Sequence, residues 1–143
     1  MSETALEVLG EAECLSLLEQ VHYGRVAVVT AASRPAIFPV NFAVHKRTVV
    51  FLTGSTLLLA RAPLGPVAFE ADVIDPVTHE GWDVVVNGEG ADITRSLDTR
   101  SVLARRQPIE HWVPDRDEAW IAIINPRFEG RRLYVPAPDP VFF

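Results

Sequence analysis

Between residues 36 and 53 apolar positions come in two short runs, parted by three polar residues. "AIFPVNFAV" (36–44) and "TVVFLT" (48–53) are rich in β-branched and aromatic side chains, and "HKR" between them is a turn. Runs of that length and content predict strands. The same pattern recurs in "RVAVVTA" (25–31), "PVAFEADV" (66–73), "AWIAII" (119–124) and "RRLYV" (131–135). "WDVVVNGEGADIT" (82–94) predicts a longer strand, its glycine-softened middle marking a bulge. "ASRP", "IDPVTHEG" and "NPRFEG" are the connecting turns and loops. Helical spacing is rarer. Cys14, Leu17, Leu18 and Val21 form one apolar stripe and predict a helix over 11–22, ended by Gly24. "LLLARA" (57–62) predicts one or two helical turns, stopped by Pro63 and Gly65, and 96–106 predicts another short helix.

Consecutive strands without helix-length crossovers argue against a doubly wound parallel sheet. They predict an antiparallel sheet closing into a barrel, a mainly β (α+β) fold with short flanking helices. At 143 residues the chain reads as one domain, 1–143. The tail "PAPDPVFF" is too rich in proline for regular structure, and Phe142-Phe143 reads as exposed or docked on a neighbour.

A net charge of −6 argues against a phosphate lattice as partner, so nucleic acid is not expected. Of the 13 cationic residues only Lys46 is a lysine. Cys14 is the sole cysteine, which rules out an intrachain disulfide or a cysteine zinc cluster, and its place on the helical stripe reads as core packing. The acidic start lacks a basic leader, and no window holds the ~20 apolar residues of a membrane helix. The expected setting is the cytoplasm, away from membranes.

No catalytic side chain stands out. His22, His45, His79 and His111 are scattered without metal-pair spacing, so no metal site is expected. Asp83 and Asp92 fall in a strand with nothing to make them an acid and base pair. Any reaction would rest on a bound cofactor. Two features invite one. Thr53-Gly54-Ser55-Thr56 sits where a strand gives way to a helix; it reads either as an ordinary cap or as an anion cradle of hydroxyls and free N–H groups. Asn41 interrupts an apolar run next to Pro39, and reads either as a bulge residue or as an amide facing a flat heteroaromatic ligand.

The stretches "GRVAVV" (24–29), "PAIFPVNFAV" (35–44), "TVVFLTG" (48–54), "PVAFEAD" (66–72), "GWDVVVNGEGADIT" (81–94) and "AWIAIINPRFEGRRL" (119–133) together resemble the pyridoxamine 5'-phosphate oxidase-like family of flavin-binding split-barrel proteins. The likeness spans nearly the whole chain in order. It implies a homodimer of split β-barrels with flavin (FMN) in clefts between the subunits. The ring would lie on Pro39, Val40, Asn41 and Phe42, the phosphate on Thr53, Gly54, Ser55 and Thr56, and the partner chain would add the segment of Trp82 and Val84. Trp120 matches a late aromatic near the cleft.

The chain departs from the pattern where the phosphate binds. Members that hold FMN tightly read F-R-T near 51–53 and T-K soon after, whereas this chain has Phe51-Leu52-Thr53 and Thr56-Leu57. Charge-assisted bonds contribute roughly 1.5–3 kcal/mol each. Two lost cations would weaken binding by about a thousandfold. Arg61 and Arg25 are the candidates to substitute. Three readings follow: a flavin-type oxidoreductase with a small-molecule substrate; a non-catalytic carrier or sensor of flavin, deazaflavin or haem; and a cofactor-free dimer.

Overall fold

The computed structural model describes residues 3–54, 65–111 and 118–141. Its elements in chain order are β1 (Ala5–Leu9), α1 (Glu11–Leu18), β2 (Tyr23–Val29), β3 (Pro35–His45), β4 (Thr48–Thr53), β5 (Pro66–Ile74), β6 (Gly81–Asp92), α2 (Thr99–Ala104) and β7 (Ala119–Tyr134). Every pairing is antiparallel. The sheet runs β1-β7-β4-β3-β2-β5-β6, and β6 pairs back onto β7. Six strands therefore close on themselves as a split barrel, with β1 added outside on β7. No helix among the described residues is long and apolar enough to cross a membrane.

Alternation along the strands fills the barrel. Val26 and Val28, Val40 and Phe42, Val49 and Phe51, Val67 and Phe69, and Val84 and Val86 all point inward and are buried. Phe42 and Phe69 meet across the interior with ring centroids 4.7 Å apart. Helix α1 packs onto this core through Cys14, Leu17 and Leu18. Cys14 is fully buried, as its place on the stripe implied, and burial pushes its thiol pKa up. The docking is tight: a Cβ at Gly130 on β7 would fall on the Cys14 Sγ.

A second, smaller core lies on the outside of the barrel. The segment from Ile93 through α2 to Ile109 crosses the outer face of the sheet. Ile93, Ala104 and Ile109 pack there with Val50 and Ala122, flanked by Ala43, Leu52 and Trp120. Asp98 caps α2 by accepting a hydrogen bond from the Ser101 N–H at 2.9 Å.

The structure corrects the expected elements in four places. A short strand, β1, precedes the first helix. That helix ends at Leu18 instead of 22. Gly24 lies inside β2 and not at a helix end; a Cβ there would meet the Phe69 ring at 2.6 Å, so the glycine admits that ring. The two strands expected at 119–124 and 131–135 are one bent strand. The register between β6 and β7 slips there, with Asn87 facing Arg127 and Glu89 facing Ile124. Asn125 and Pro126 thus oppose Gly88 alone, a bulge where proline's missing N–H is harmless. Gly88 has no room for a side chain, since a Cβ would lie 2.6 Å from both Ile123 Cγ2 and Ile124 O.

Candidate functional site

On β3 the residues alternate between the packed interior and the outer face. Val40 and Phe42 face inward, while Pro39 and Asn41 face outward. The outward neighbours follow from register. Tyr23 on β2 pairs with Asn41, and Arg25 pairs with Pro39 on one side and Glu70 of β5 on the other. Leu52 and Trp120 pair across β4 and β7, in the same outer layer. An outward strip therefore runs from Tyr23 past Asn41 to Leu52 and Trp120.

Asn41 is the polar exception in this strip. Its Nδ2 donates to the Glu110 carbonyl at 2.9 Å, which ties β3 to the end of the crossing segment. That bond fixes the amide's orientation and commits its donor side. Its Oδ1 is shielded from solvent and has no partner among the described residues. A sealed acceptor of this kind is rare in folded proteins and asks for an N–H or O–H. Beside it, His111 Nδ1 and a Glu118 carboxylate oxygen are 2.8 Å apart.

A charged cluster occupies the neighbouring part of the outer face. Arg25 Nη1 reaches Glu70 Oε2 at 2.7 Å and Asp72 Oδ2 at 3.7 Å. Burial, and the proton Glu70 shares with Asp72, push the Glu70 carboxyl up to about 7. Arg25 pulls the other way but does not offset them. Glu70 thus holds or releases a proton near neutral pH. Sequence reasoning missed it, because Arg25 and Glu70 are 45 residues apart and meet only through the β2–β5 register.

The remaining expected site residues are placed as follows. Thr53 is buried, and among the described residues its hydroxyl makes a marginal 3.5 Å contact to Gly54 O. Gly54 is half-buried at the end of β4. Ser55, Thr56, Leu57 and Arg61 lie outside the described residues, as do Phe142 and Phe143. The side chains of Trp82 and Val84 point into the barrel core, which leaves Asp83 and Val85 as their outward neighbours on β6. Leu52, at one of the expected cation positions, packs against the outer apolar cluster. Asp83 and Asp92 have structural partners: Arg131 donates to Asp83 Oδ2 at 2.9 Å, and the Thr94 N–H donates to Asp92 Oδ1 at 3.0 Å.

A family model described as pyridoxamine 5'-phosphate oxidase matches residues 10–132. The uncharacterized protein Rv0080 of Mycobacterium tuberculosis is 32% identical, covering 96% of this chain and 93% of its own. Among solved structures, the FAD binding protein from Mycobacterium smegmatis aligns with a TM-score of 0.72 at 32% identity, over 88% of this chain and 98% of its own. A candidate pyridoxamine 5'-phosphate oxidase from Corynebacterium glutamicum aligns with a TM-score of 0.74 at 28% identity, over 92% and 96% of the two chains.

Proposed function

The chain belongs to the pyridoxamine 5'-phosphate oxidase family, and from that premise we propose that it binds a flavin and works as a cytoplasmic homodimer whose cofactor clefts lie between the subunits. The observation that carries this reading is Asn41, an amide with its donor committed to Glu110 and its Oδ1 awaiting a hydrogen. The imide edge of a flavin ring carries such a hydrogen on its one N–H. The donor set fits the group. The FAD binding protein of M. smegmatis, at 32% identity, supports a flavin in general. FMN is the simplest flavin nucleotide, and a deazaflavin shares the same imide edge.

When bound, the ring supplies hydride or electron transfer to a small organic acceptor. This chain's residues do the rest. Pro39, Val40, Asn41 and Phe42 offer the ring an edge of strand, with Asn41 setting its orientation. Thr53, Gly54, Ser55 and Thr56 would meet the phosphate, and the partner's copy of the 82–84 backbone would close the cleft. Glu70, on the same outer face, can hold a proton near neutral pH. A second copy is supported by apolar side chains left open on the β2–β3 face, where Val29 is 57% and Ile37 68% exposed.

One observation favours a second reading, a carrier or sensor without turnover. Leu52 fills an apolar niche where a tight FMN binder places a cation, so retention through a catalytic cycle is harder.

The test is a titration of the purified protein with FMN, FAD and a deazaflavin, following quenching of cofactor fluorescence. Saturable quenching by one of them is expected. Absence of quenching by all of them defeats the flavin reading and leaves a cofactor-free dimer or a haem protein. Turnover with a nicotinamide donor then separates enzyme from carrier.

A further inference from the structure

A cleft of about 300 Å³ opens where the β3–β4 turn, α2 and the bulge of β7 meet. It lies away from the Asn41 strip. His45 is four residues beyond Asn41 on β3, about 13 Å along the strand, and the outer apolar cluster lies between them.

The lining is unusual for this chain. The protein as a whole carries a net charge of −6, yet among the described residues no carboxylate lines the cleft, and His45, Lys46, Arg47 and Arg100 do. Arg47 is already paired with Glu11. Lys46 and Arg100 make no salt bridge among the described residues, although Asp98 lies near enough to Arg100 for the two charges to feel each other. The Gln107 amide nitrogen sits 3.3 Å from His45 Nδ1. Thr48, Ser101 and Asn125 add neutral polar groups, and the remainder of the wall is apolar: buried Ile93, Ala104 and Ala122 floor the cleft and Ile124 stands at its side. Cations around an apolar floor, in a space of small-molecule size, match a compact ligand with one greasy end and one anionic end.

We propose that this cleft binds a small organic anion, an apolar body carrying a carboxylate or a phosphate. The proposal is independent of the flavin reading. Lys46 and Arg100 meet the anionic group, and the floor of Ile93, Ala104 and Ala122 takes the apolar body.

Amide chemical shifts of the full chain, titrated with benzoate, phenyl phosphate, inorganic phosphate and benzyl alcohol, test it. Benzoate or phenyl phosphate should shift residues 45–48, 100–101 and 122–126 saturably, and whichever binds more tightly identifies the headgroup. Lys46→Gln with Arg100→Gln should weaken that binding about tenfold or more without changing the melting temperature, since both side chains are at the surface. Ile124→Glu, which sets a carboxylate on the wall, should weaken it as well. Three results would overturn the proposal: no saturable shifts at these residues, inorganic phosphate binding as tightly as phenyl phosphate, or benzyl alcohol binding as tightly as benzoate.

Discussion

An acceptor sealed from water without a partner costs about 1–3 kcal/mol, and Asn41 keeps one on a strand face that leucine would fill as readily. Asn41→Leu therefore separates stability from binding. The variant removes the unpaired oxygen and loses the bond to Glu110, whose carbonyl lies at the surface and can turn to water. Denaturant unfolding should place it within about 1 kcal/mol of the wild type. Flavin affinity should fall about tenfold, the worth of one hydrogen bond. A drop in stability with unchanged affinity would make Asn41 a structural amide. Glu70 gives a second residue-level prediction. Its folded pKa of about 7 lies above the ordinary 4.5, so the folded chain binds that proton more tightly than the unfolded one. The resulting stability is fully present below pH 4.5 and is lost as pH rises through 7. Glu70→Gln mimics the protonated form. It should melt with the wild type at pH 4.5 and be more stable by about 1 kcal/mol at pH 8. Parallel melting curves across that range would show that Glu70 is not shifted. Of these two residues only Asn41 was legible in the sequence, where it breaks an apolar run. Glu70 sits unremarkably in "PVAFEADV" until the barrel brings Arg25 and Asp72 to it.

Local pattern told the hairpin β3–β4 and the helix α1 plainly, because each has its own period and its own turn chemistry. It failed where tertiary pairing overrides local cues. "NPRFEG" carries Asn-Pro and a glycine, the signals of a turn, yet the turn is reduced to a bulge opposite Gly88, with Asn125 left-handed at φ 50° and the pairing with β6 running on from Arg127. β1 has Leu6 and Val8 facing out and an acidic sequence around it, so nothing in its composition announces a strand; pairing with β7 makes it one. Gly130 shows how closely these late contacts are fitted. It faces Leu9 of β1 in register and lies under Cys14 of α1, so one position joins three elements. Gly130→Ala should destabilise the fold by about 1–3 kcal/mol through overpacking. Cys14→Ala removes the sulfur that the new methyl group strikes. The double variant should then lose less than the sum of the two single changes, with a coupling of at least 0.5 kcal/mol by denaturant unfolding. Strict additivity would mean that the methyl group is accommodated elsewhere.

A six-stranded barrel has two kinds of outer surface here, and the difference bears on how the molecule assembles. Over β3, β4 and β7 the outer face is roofed by the segment carrying α2, which buries Val50 and Ala122. Over β2 and β3 the face beyond Arg25 has no such roof among the described residues, and Val29 and Ile37 stand open to solvent. Exposed β-branched side chains on adjacent strands normally find a cover. In the proposed dimer a second copy supplies it, and the same contact would bring the partner's backbone to the Asn41 strip. Assembly and cofactor binding are then linked, because each cleft is complete only when the two subunits meet. Ile37→Asp places a charge in the middle of this contact, on a side chain that is 68% exposed in the single chain and so is not needed for its fold. The isolated barrel should keep its circular dichroism spectrum while sedimentation shifts from dimer to monomer at micromolar concentration. Flavin quenching should disappear along with the dimer, even though Asn41 is untouched. A variant that becomes monomeric yet binds flavin as before would place the whole cofactor site within one barrel, and a wild type that already sediments as a monomer would remove the cleft between subunits from the reading altogether.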